Sequence, residues 1–276
     1  MKPPLVSAIL AFSDSSRIHL ARKAVNNFIR QNYTPYELII VNSTETGVLT
    51  NNDMQSEDMR RQGCHLMEVK GPSDANAGTL RNFGIRVARG DWILPVDDDD
   101  WVHPTRLMFQ MAHRQSSQPV LLRHQLRVDV SPLREIDREV GGSFKPLLHL
   151  IDKPNTGVAS TILFPRQVGG ASNGISWLYA YDENLNTGEH DELLARVAEE
   201  EGGYVVADNS HNTFVTGMHW PILSIAIYHG MNELTFDKFF DGMPRPVDRN
   251  VVPPGLVAED VSQLKLVLAG YNFKVK

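Results

Sequence analysis

The chain has 276 residues, 42% of them hydrophobic and 22% charged, with a formal net charge of −6. This composition is typical of a globular protein with a sizeable core and excludes a disordered chain. The acidic balance, without a Lys- or Arg-rich run, gives no general attraction to nucleic acid, which we do not expect as a partner.

The first part of the chain alternates predicted strands and helices. Short apolar runs end in polar residues, as in "SAILAFSDSS" and "YELIIVNST", and they predict buried strands. The predicted strands cover residues 5–12, 37–41, 65–69 and 92–96, and the predicted helices cover residues 17–30 and 78–90. Ser15 or Ser16 is placed to cap the first helix, and Gly90 is expected to end the second in a left-handed conformation.

The later part of the chain is less regular. "QPVLLRHQLRVDV", "ASTILFP", "YVVAD" and "NTFVTG" predict strands, and residues 193–201 predict a helix that ends at Gly202 and Gly203. The Pro-rich segment "GMPRPVDRNVVPPG" predicts a surface crossing or lid, and residues 261–268 predict a last helix. Strands separated by helices predict an α/β fold with a mainly parallel sheet, whose ligands collect at the carboxyl ends of the strands.

Four consecutive aspartates, residues 97–100, directly follow the fourth predicted strand, and we call them the aspartate run. Like charges repel each other, and a folded chain tolerates them best when a divalent cation or solvent screens them. A calcium loop of the EF-hand type is excluded because the acidic spacing, the glycine and the final glutamate that it needs are missing. A catalytic metal site and a solvated acidic turn both remain open from the pattern alone.

The chain resembles an inverting family 2 glycosyltransferase over roughly residues 4–220. The matching pieces, in order, are "PLVSAILAF", "QNYTPYELIIVNST", "TLRNFGIRVARGDWILPVDDDDWVHPTRL", "ASTILFP" and "YDENLNTGEHDELLARV". The resemblance implies a GT-A fold, Rossmann-like with a mainly parallel central sheet flanked by helices. It divides the chain into a nucleotide-sugar half (1–110), an acceptor half (111–220) and a C-terminal extension (221–276) that serves as a lid or an oligomer contact.

The resemblance also implies a donor site in the aspartate run. Asp97 and Asp99 correspond to the metal pair of the DXD motif, and His219 is expected to complete the metal site. Asp98 is expected to face solvent or to position the ribose. The cofactor is then Mn²⁺ or Mg²⁺, and the donor is a UDP- or GDP-sugar whose departing diphosphate the cation stabilises.

The nucleotide pocket is expected at the ends of the first strands. Phe12 and Asp14 lie where the family contacts the nucleotide, although Asp14 is as well explained by a helix N-cap. Asn42 replaces an aspartate that commonly accepts a hydrogen bond from the base; its carbonyl still accepts from uracil or guanine. Arg81 matches the arginine of an "ARN" signature and is expected near the phosphates or base, the alternative being a surface ion pair.

The acceptor hydroxyl needs a base to take its proton. The family places a Glu-Asp pair at the start of a helix, and "TGEHDELLARV" aligns Glu189 with the glutamate but His190 with the catalytic aspartate. We expect Asp191 to be the base, with His190 as the alternative and Glu189 binding an acceptor hydroxyl. All three are otherwise solvated residues that the helix dipole favours in a first turn.

The predicted reaction is transfer of a sugar to the hydroxyl of a glycan, lipid-linked or small-molecule acceptor. A nucleotidyltransferase is disfavoured because "AFSDSSRIHL" lacks the glycines of a triphosphate loop. A catalytically inactive sugar-nucleotide binding module stays open because of His190. The single cysteine, Cys64, and the lack of a long apolar run predict a cytoplasmic protein, free or peripheral at the membrane, and a homodimer is allowed.

Overall fold

A computed structural model describes residues 2–49, 64–129, 147–167, 178–185, 187–209 and 223–228. The strands are β1 (Val6–Phe12), β2 (Tyr36–Asn42), β3 (Cys64–Lys70), β4 (Trp92–Val96), β5 (Trp101–Val102), β6 (Val120–Leu122), β7 (His124–Asp129), β8 (Leu147–Asp152), β9 (Phe164–Pro165), β10 (Val205–Ala207) and β11 (Ser224–Tyr228). The helices are α1 (Ile18–Phe28), α2 (Ala77–Val87), α3 (Arg106–His113) and α4 (Glu189–Glu200). Within these residues, no helix is long and apolar enough to cross a bilayer.

The central sheet has five strands in the order β3-β2-β1-β4-β9. Its first four strands are parallel, and β9 runs antiparallel to β4. The predicted α/β class with a mainly parallel central sheet is therefore confirmed, and each of the four predicted strands is found within one residue of its expected ends.

Helices cover both faces of this sheet, which is why its inner strands are apolar throughout. Alternate residues of β1 point to opposite faces. Leu10 belongs to the core layer that includes Phe28 of α1, whereas Ile9 belongs to the layer that includes Leu80 of α2. The expected serine caps of the first helix are wrong: the carboxylate of Asp14 accepts from the Ser16 N–H and caps a 3-10 turn that leads into α1.

The expected left-handed glycine at the end of α2 is also wrong. Gly90 is not among the residues with positive φ; it lies against β1 instead. A Cβ at Gly90 would approach Ser7 Oγ to 2.5 Å, and the Gly90 N–H donates to that oxygen at 2.8 Å. Close backbone approach, not chain reversal, explains the glycine. Gly202 and Gly203 do have positive φ after α4, as predicted.

The later residues build a second sheet of four strands in the order β5-β11-β7-β8. Strand β11, from the predicted C-terminal extension, pairs antiparallel with β5 and parallel with β7. "QPVLLRHQLRVDV" forms two strands, β6 and β7, and "ASTILFP" forms a 3-10 turn followed by β9, so neither is a single strand. The elements predicted at 212–217 and 261–268 lie outside the described residues.

The strand order reverses at β1, whose chain neighbour β2 lies on one side and β4 on the other. Such a reversal leaves a crevice beyond the carboxyl ends of the two strands. The aspartate run follows β4 at this edge, and residues 13–17 follow β1. The fold thus brings the predicted donor residues to the place where an open parallel sheet accommodates a ligand.

Candidate active site

A cavity of about 550 Å³ lies beyond the carboxyl ends of β1 and β4. The aspartate run and Arg81 line one side, the start of α4 lines another, and β7 with the loop after β8 lines a third. The charged and polar lining residues include Arg17, Arg81, Asp97, Asp98, Asp99, Asp100, Gln125, Arg127, Lys153, Glu189, His190 and Asp191. Predicted donor and acceptor residues therefore share one cavity.

Arginines contact three of the four aspartates. Arg17 Nη2 donates to Asp98 Oδ1 at 2.5 Å and to Asp99 Oδ2 at 2.7 Å. Arg81 Nη2 donates to Asp97 Oδ1 at 2.7 Å. The fourth carboxylate, that of Asp100, accepts from the Ile227 N–H of β11 at 3.3 Å. The aspartate run is thus packed among protein groups and is not a solvated turn.

Burial and mutual repulsion shift the pKa values of the aspartate run in spite of the nearby arginines. Burial and the Asp99 charge raise the pKa of Asp98 to about 8. Burial and the charges of Asp97 and Asp99 raise the pKa of Asp100 well above its usual range. At Asp97 burial acts in the same direction, but the charge and hydrogen bond of Arg81, together with His190 and Arg17, outweigh it and lower the pKa. A site of this kind gains from an added cation.

Arg81 connects the two predicted halves of the site. Its Nη1 donates to Glu189 Oε1 at 2.7 Å while its Nη2 holds Asp97, and its side chain is only 7% exposed. Its guanidinium carbon also lies 5.4 Å from the ring centre of Tyr181. Arg81 is therefore a buried bridge between the end of β4 and the first turn of α4, and the alternative of a surface ion pair is excluded.

The three predicted acceptor-side residues open α4, which begins after Gly188 in a left-handed conformation. His190 Nδ1 lies 3.2 Å from the Tyr181 hydroxyl. Burial and the Arg81 charge lower the pKa of His190 to about 4, so the ring is neutral at pH 7. Asp191 is exposed and lines the cavity. The helix predicted from residue 193 begins four residues earlier, so all three residues occupy its first turn.

Two predicted nucleotide residues are not among the residues that line the cavity. The Phe12 side chain is fully buried in the core layer that contains α1. Asp14 is exposed and caps the turn at residues 15–17, which is its alternative interpretation. His219 lies outside the described residues.

Asn42 is buried and uses all its amide hydrogen-bonding groups within the protein. Its Oδ1 accepts from the Thr44 N–H at 2.8 Å and from the Thr44 hydroxyl at 2.9 Å. Its Nδ2 donates to the Thr46 carbonyl at 2.9 Å and to Glu68 Oε1 at 2.6 Å. A carboxylate acceptor requires the amide nitrogen to face Glu68, which supports this orientation. Contact with a base would require one of these bonds to break.

The donor chemistry of the aspartate run fits Mg²⁺ or Mn²⁺, because hard cations prefer carboxylate oxygens and four carboxyl groups lie together here. Asp97 and Asp99 would hold the cation. Among the described residues, however, no group of three or more His, Cys, Asp or Glu side chains is arranged around a common metal position. The guanidinium groups of Arg17 and Arg81 contact the oxygens concerned.

Several cavity residues were not predicted from the sequence. Arg17 contacts two aspartates, and Gln125, Arg127 and Lys153 line the same cavity. Arg17 could have been predicted from the sequence. It stands at the start of the first predicted helix, directly after a strand whose carboxyl end belongs to the predicted site. The other three come from β7 and the end of β8, whose pairing joins residues distant in sequence.

Residues 16–115 match the family model described as glycosyl transferase family 2. The match places Arg17, Arg81 and the aspartate run inside the family 2 region, whereas Glu189, His190 and Asp191 lie beyond it.

One curated relative matches part of the same chain. WcaA of Escherichia coli (strain K12), named as a colanic acid biosynthesis glycosyl transferase, is 30% identical over 100 residues. That match covers 36% of this chain and 35% of WcaA, so the chain spans about a third of the length of this relative.

Solved structures are similar at low identity. S. aureus TarS 1-349 in complex with UDP-GlcNAc is 12% identical, with a TM-score of 0.49, over 98% of this chain and 68% of TarS 1-349. The mannosyltransferase PcManGT of Pyrobaculum calidifontis, in complex with GDP-Man and Mn²⁺, is 14% identical with a TM-score of 0.49. That likeness covers 75% of this chain and 55% of PcManGT.

Proposed function

We propose that the protein transfers a sugar, with inversion, from a UDP- or GDP-sugar to an acceptor hydroxyl, and that the reaction depends on Mn²⁺ or Mg²⁺. The observation that carries the proposal is that one cavity is lined both by the aspartate run, at the switch point of the sheet, and by the acidic first turn of α4. The family 2 match over residues 16–115 supports the reaction class.

At the donor side, Asp97 and Asp99 would hold the cation, which supplies positive charge to the departing diphosphate. The cation would screen the repulsion between the neighbouring carboxylates when donor and cation enter together. Arg81, fixed between Asp97 and Glu189, positions the Asp97 carboxylate and keeps the donor side in register with α4.

At the acceptor side, Asp191 is proposed as the base. The acceptor oxygen bonds to the anomeric carbon, the bond from that carbon to the phosphate oxygen breaks, and Asp191 takes the hydroxyl proton. A near-neutral pKa would favour His190, but burial and Arg81 lower its pKa to about 4. His190 is then no stronger a base than a carboxylate, and its ring already contacts the Tyr181 hydroxyl.

Glu189 is proposed to bind an acceptor hydroxyl. Its Oε1 accepts from Arg81 Nη1 at 2.7 Å, and the second carboxylate oxygen lies outside that contact. The proposed role of Asn42 as a reader of the base stays a prediction; it needs one of the Thr44 contacts to open. Phe12 and Asp14 likewise stay predictions as nucleotide contacts, and His219 as a metal ligand.

The test is a panel of UDP- and GDP-sugars incubated with Mn²⁺, with release of the nucleoside diphosphate as the measurement. We expect slow hydrolysis of one donor, and faster release when a suitable acceptor is supplied. Donor binding without release, with acceptors present, would instead support a binding module that does not catalyse transfer.

The base is tested by comparing Asp191→Asn with His190→Asn at equal donor affinity. Removing a general base costs about 10²- to 10⁴-fold in turnover, so we expect Asp191→Asn to lose that much and His190→Asn to lose less. Equal losses, or full turnover in Asp191→Asn, would rule out Asp191 as the base.

A further inference from the structure

Arg17 holds the pair of carboxylates that includes the proposed metal ligand Asp99. One nitrogen, Nη2, donates to both Asp98 and Asp99, and the three side chains are 13%, 12% and 9% exposed. The Nε–H of Arg17 is buried and has no hydrogen-bond partner among the described residues. Arg17 is thus held mainly through one nitrogen and two carboxylates.

A guanidinium and a divalent cation that contact the same carboxylate oxygen compete with each other. The two cations repel each other at such short distances, and the hydrogen bond from the guanidinium uses one of the two lone pairs of that oxygen. In the free protein Arg17 Nη2 lies 2.7 Å from Asp99 Oδ2. A cation that binds Asp99 is therefore repelled by Arg17, and moving the Arg17 side chain away breaks its ion pairs, so the net affinity for the cation is reduced.

We propose that Arg17, which is paired with Asp98 and Asp99, competes with the divalent cation for the Asp99 carboxylate, and that the displaced guanidinium turns into the cavity to contact the donor diphosphate. The inference rests on the proposed function for its ligands. Arg17 lines the cavity from the turn that follows β1, while the aspartate run lines it from the end of β4. A guanidinium binds a diphosphate well, because its planar N–H donors match the phosphate oxygens and the charges are opposite.

Competition makes cation binding and nucleotide binding cooperative. Without nucleotide, Arg17 weakens the cation site because its ion pairs must break. With nucleotide, the phosphates give Arg17 new anionic partners, so the displacement becomes less costly. The free protein would then bind the cation weakly and bind the cation and nucleotide together more tightly.

The experiment is calorimetric titration of Mn²⁺ alone into the wild type, Arg17→Met and Arg17→Gln, at fixed ionic strength. An opposite charge within a few ångströms changes the proton affinity of a carboxylate by about one to three pKa units, so we expect both neutral variants to bind Mn²⁺ about tenfold tighter or more. Arg17→Lys keeps the charge and should stay near the wild type. Equal or weaker Mn²⁺ binding by both neutral variants overturns the competition.

Arg22→Met is the matched control, because Arg22 lies on α1 and donates to the carbonyls of Gly47 and Val48, away from the aspartate run. It removes the same charge, and its effect on Mn²⁺ affinity should be much smaller. An equal gain in Arg22→Met would mean that net charge, not displacement, sets the affinity, and would overturn the inference. Thermal unfolding monitors whether each variant is folded.

A second titration repeats the measurement with UDP or GDP present. The wild type should gain more Mn²⁺ affinity from the nucleotide than Arg17→Met does, and equal gains overturn the proposed contact with the diphosphate. Wild-type turnover without any gain in the Arg17 variants refutes the competition and leaves the transferase intact. Tighter Mn²⁺ binding in those variants, with no donor used by the wild type, supports the competition and refutes the transferase.

Discussion

Buried carboxylates lie at both ends of the central sheet, but their surroundings differ. Near the amino end of β2, Glu37 is 1% exposed and accepts from Ser7 Oγ at 2.6 Å, from the Arg89 N–H at 2.7 Å and from Arg89 Nε at 2.9 Å. Burial raises its pKa, but these hydrogen bonds outweigh burial, so the net shift is downward. Three hydrogen bonds thus stabilise the single buried charge of Glu37, and this cluster has a structural role.

At the carboxyl end of β4, four consecutive carboxyl groups lie beside one another. The pKa values of Asp98 and Asp100 rise, because burial and neighbouring carboxylates outweigh the arginines. Burial of a carboxylate therefore does not by itself indicate a functional site. Repulsion between neighbouring buried carboxylates does, since a cation from outside relieves it.

The largest expected effect is that of Arg81→Met, which leaves Asp97 and Glu189 without their shared cation. Breaking a buried ion pair costs about 3–5 kcal/mol, and we expect about 2–4 kcal/mol because Asp97 is 33% exposed. Urea unfolding measures the loss. Arg86→Met, on the same helix and exposed, is the control and should cost less than about 1 kcal/mol. Similar losses in both variants would contradict a bridge at Arg81.

Glu37→Gln should cost about 1–3 kcal/mol at pH 7, because the charged hydrogen bonds from Ser7 and Arg89 weaken. The folded pKa lies below the unfolded value of about 4.3. The stabilisation is therefore present above that pH and is lost as the pH falls through the folded pKa. Urea unfolding between pH 3 and 7 should show a smaller acid loss in Glu37→Gln than in the wild type.

The control for Glu37 is Glu45→Gln, whose carboxylate is 95% exposed beside Lys70 and should matter little. Donor binding should be unchanged in Glu37→Gln, because the cluster lies at the other end of the sheet from the cavity. Loss of donor binding in a folded Glu37→Gln protein would contradict the claim that the Glu37 cluster has no part in donor binding.

The smallest expected effect has the opposite sign. In the metal-free protein the pKa of Asp98 is raised to about 8 from an unfolded value of about 3.9. The folded state therefore binds the Asp98 proton more tightly than the unfolded state does. The free energy of unfolding of the wild type should fall as the pH rises from about 4 through 8. Asp98→Asn should remove this slope and be about 1 kcal/mol more stable than the wild type at pH 8.

The measurement is urea unfolding at pH 5 and pH 8 in the presence of a chelator. Asp100→Asn serves as a second variant, since its carboxyl also has a raised pKa and accepts from the Ile227 N–H. Destabilisation of Asp98→Asn at pH 8 by as much as Glu37→Gln at pH 7 would erase the contrast between the two ends.

The central sheet was predictable because burial on both faces makes its strands continuous apolar runs. β1, β2, β3 and β4 are therefore found within one residue of their predicted ends. The second sheet was not predictable, because β5 has two residues and β11 reaches its place between β5 and β7 from about a hundred residues away in the chain. Non-local pairing of short strands leaves no periodic signal.

Within the site, local motifs were visible and cross-chain contacts were not. The aspartate run, Arg81 and the first turn of α4 were identified, and they line one cavity. The pairing of Arg17 with Asp98 and Asp99 joins positions more than eighty residues apart. The saturation of Asn42 by Thr44, Thr46 and Glu68 depends on a loop conformation, which side-chain chemistry alone does not specify.

The contact between Asn42 and Glu68 links what evolution can place at these two positions. Glu68 also accepts from the N–H groups of Val48 and Leu49, each at 2.9 Å, so its charge holds the loop that follows β2. An aspartate at 42 would put two anions 2.6 Å apart where an amide now donates. Homologues with an acid at 42 should therefore lack an acid at 68. Covariation of the two positions would show that they change together.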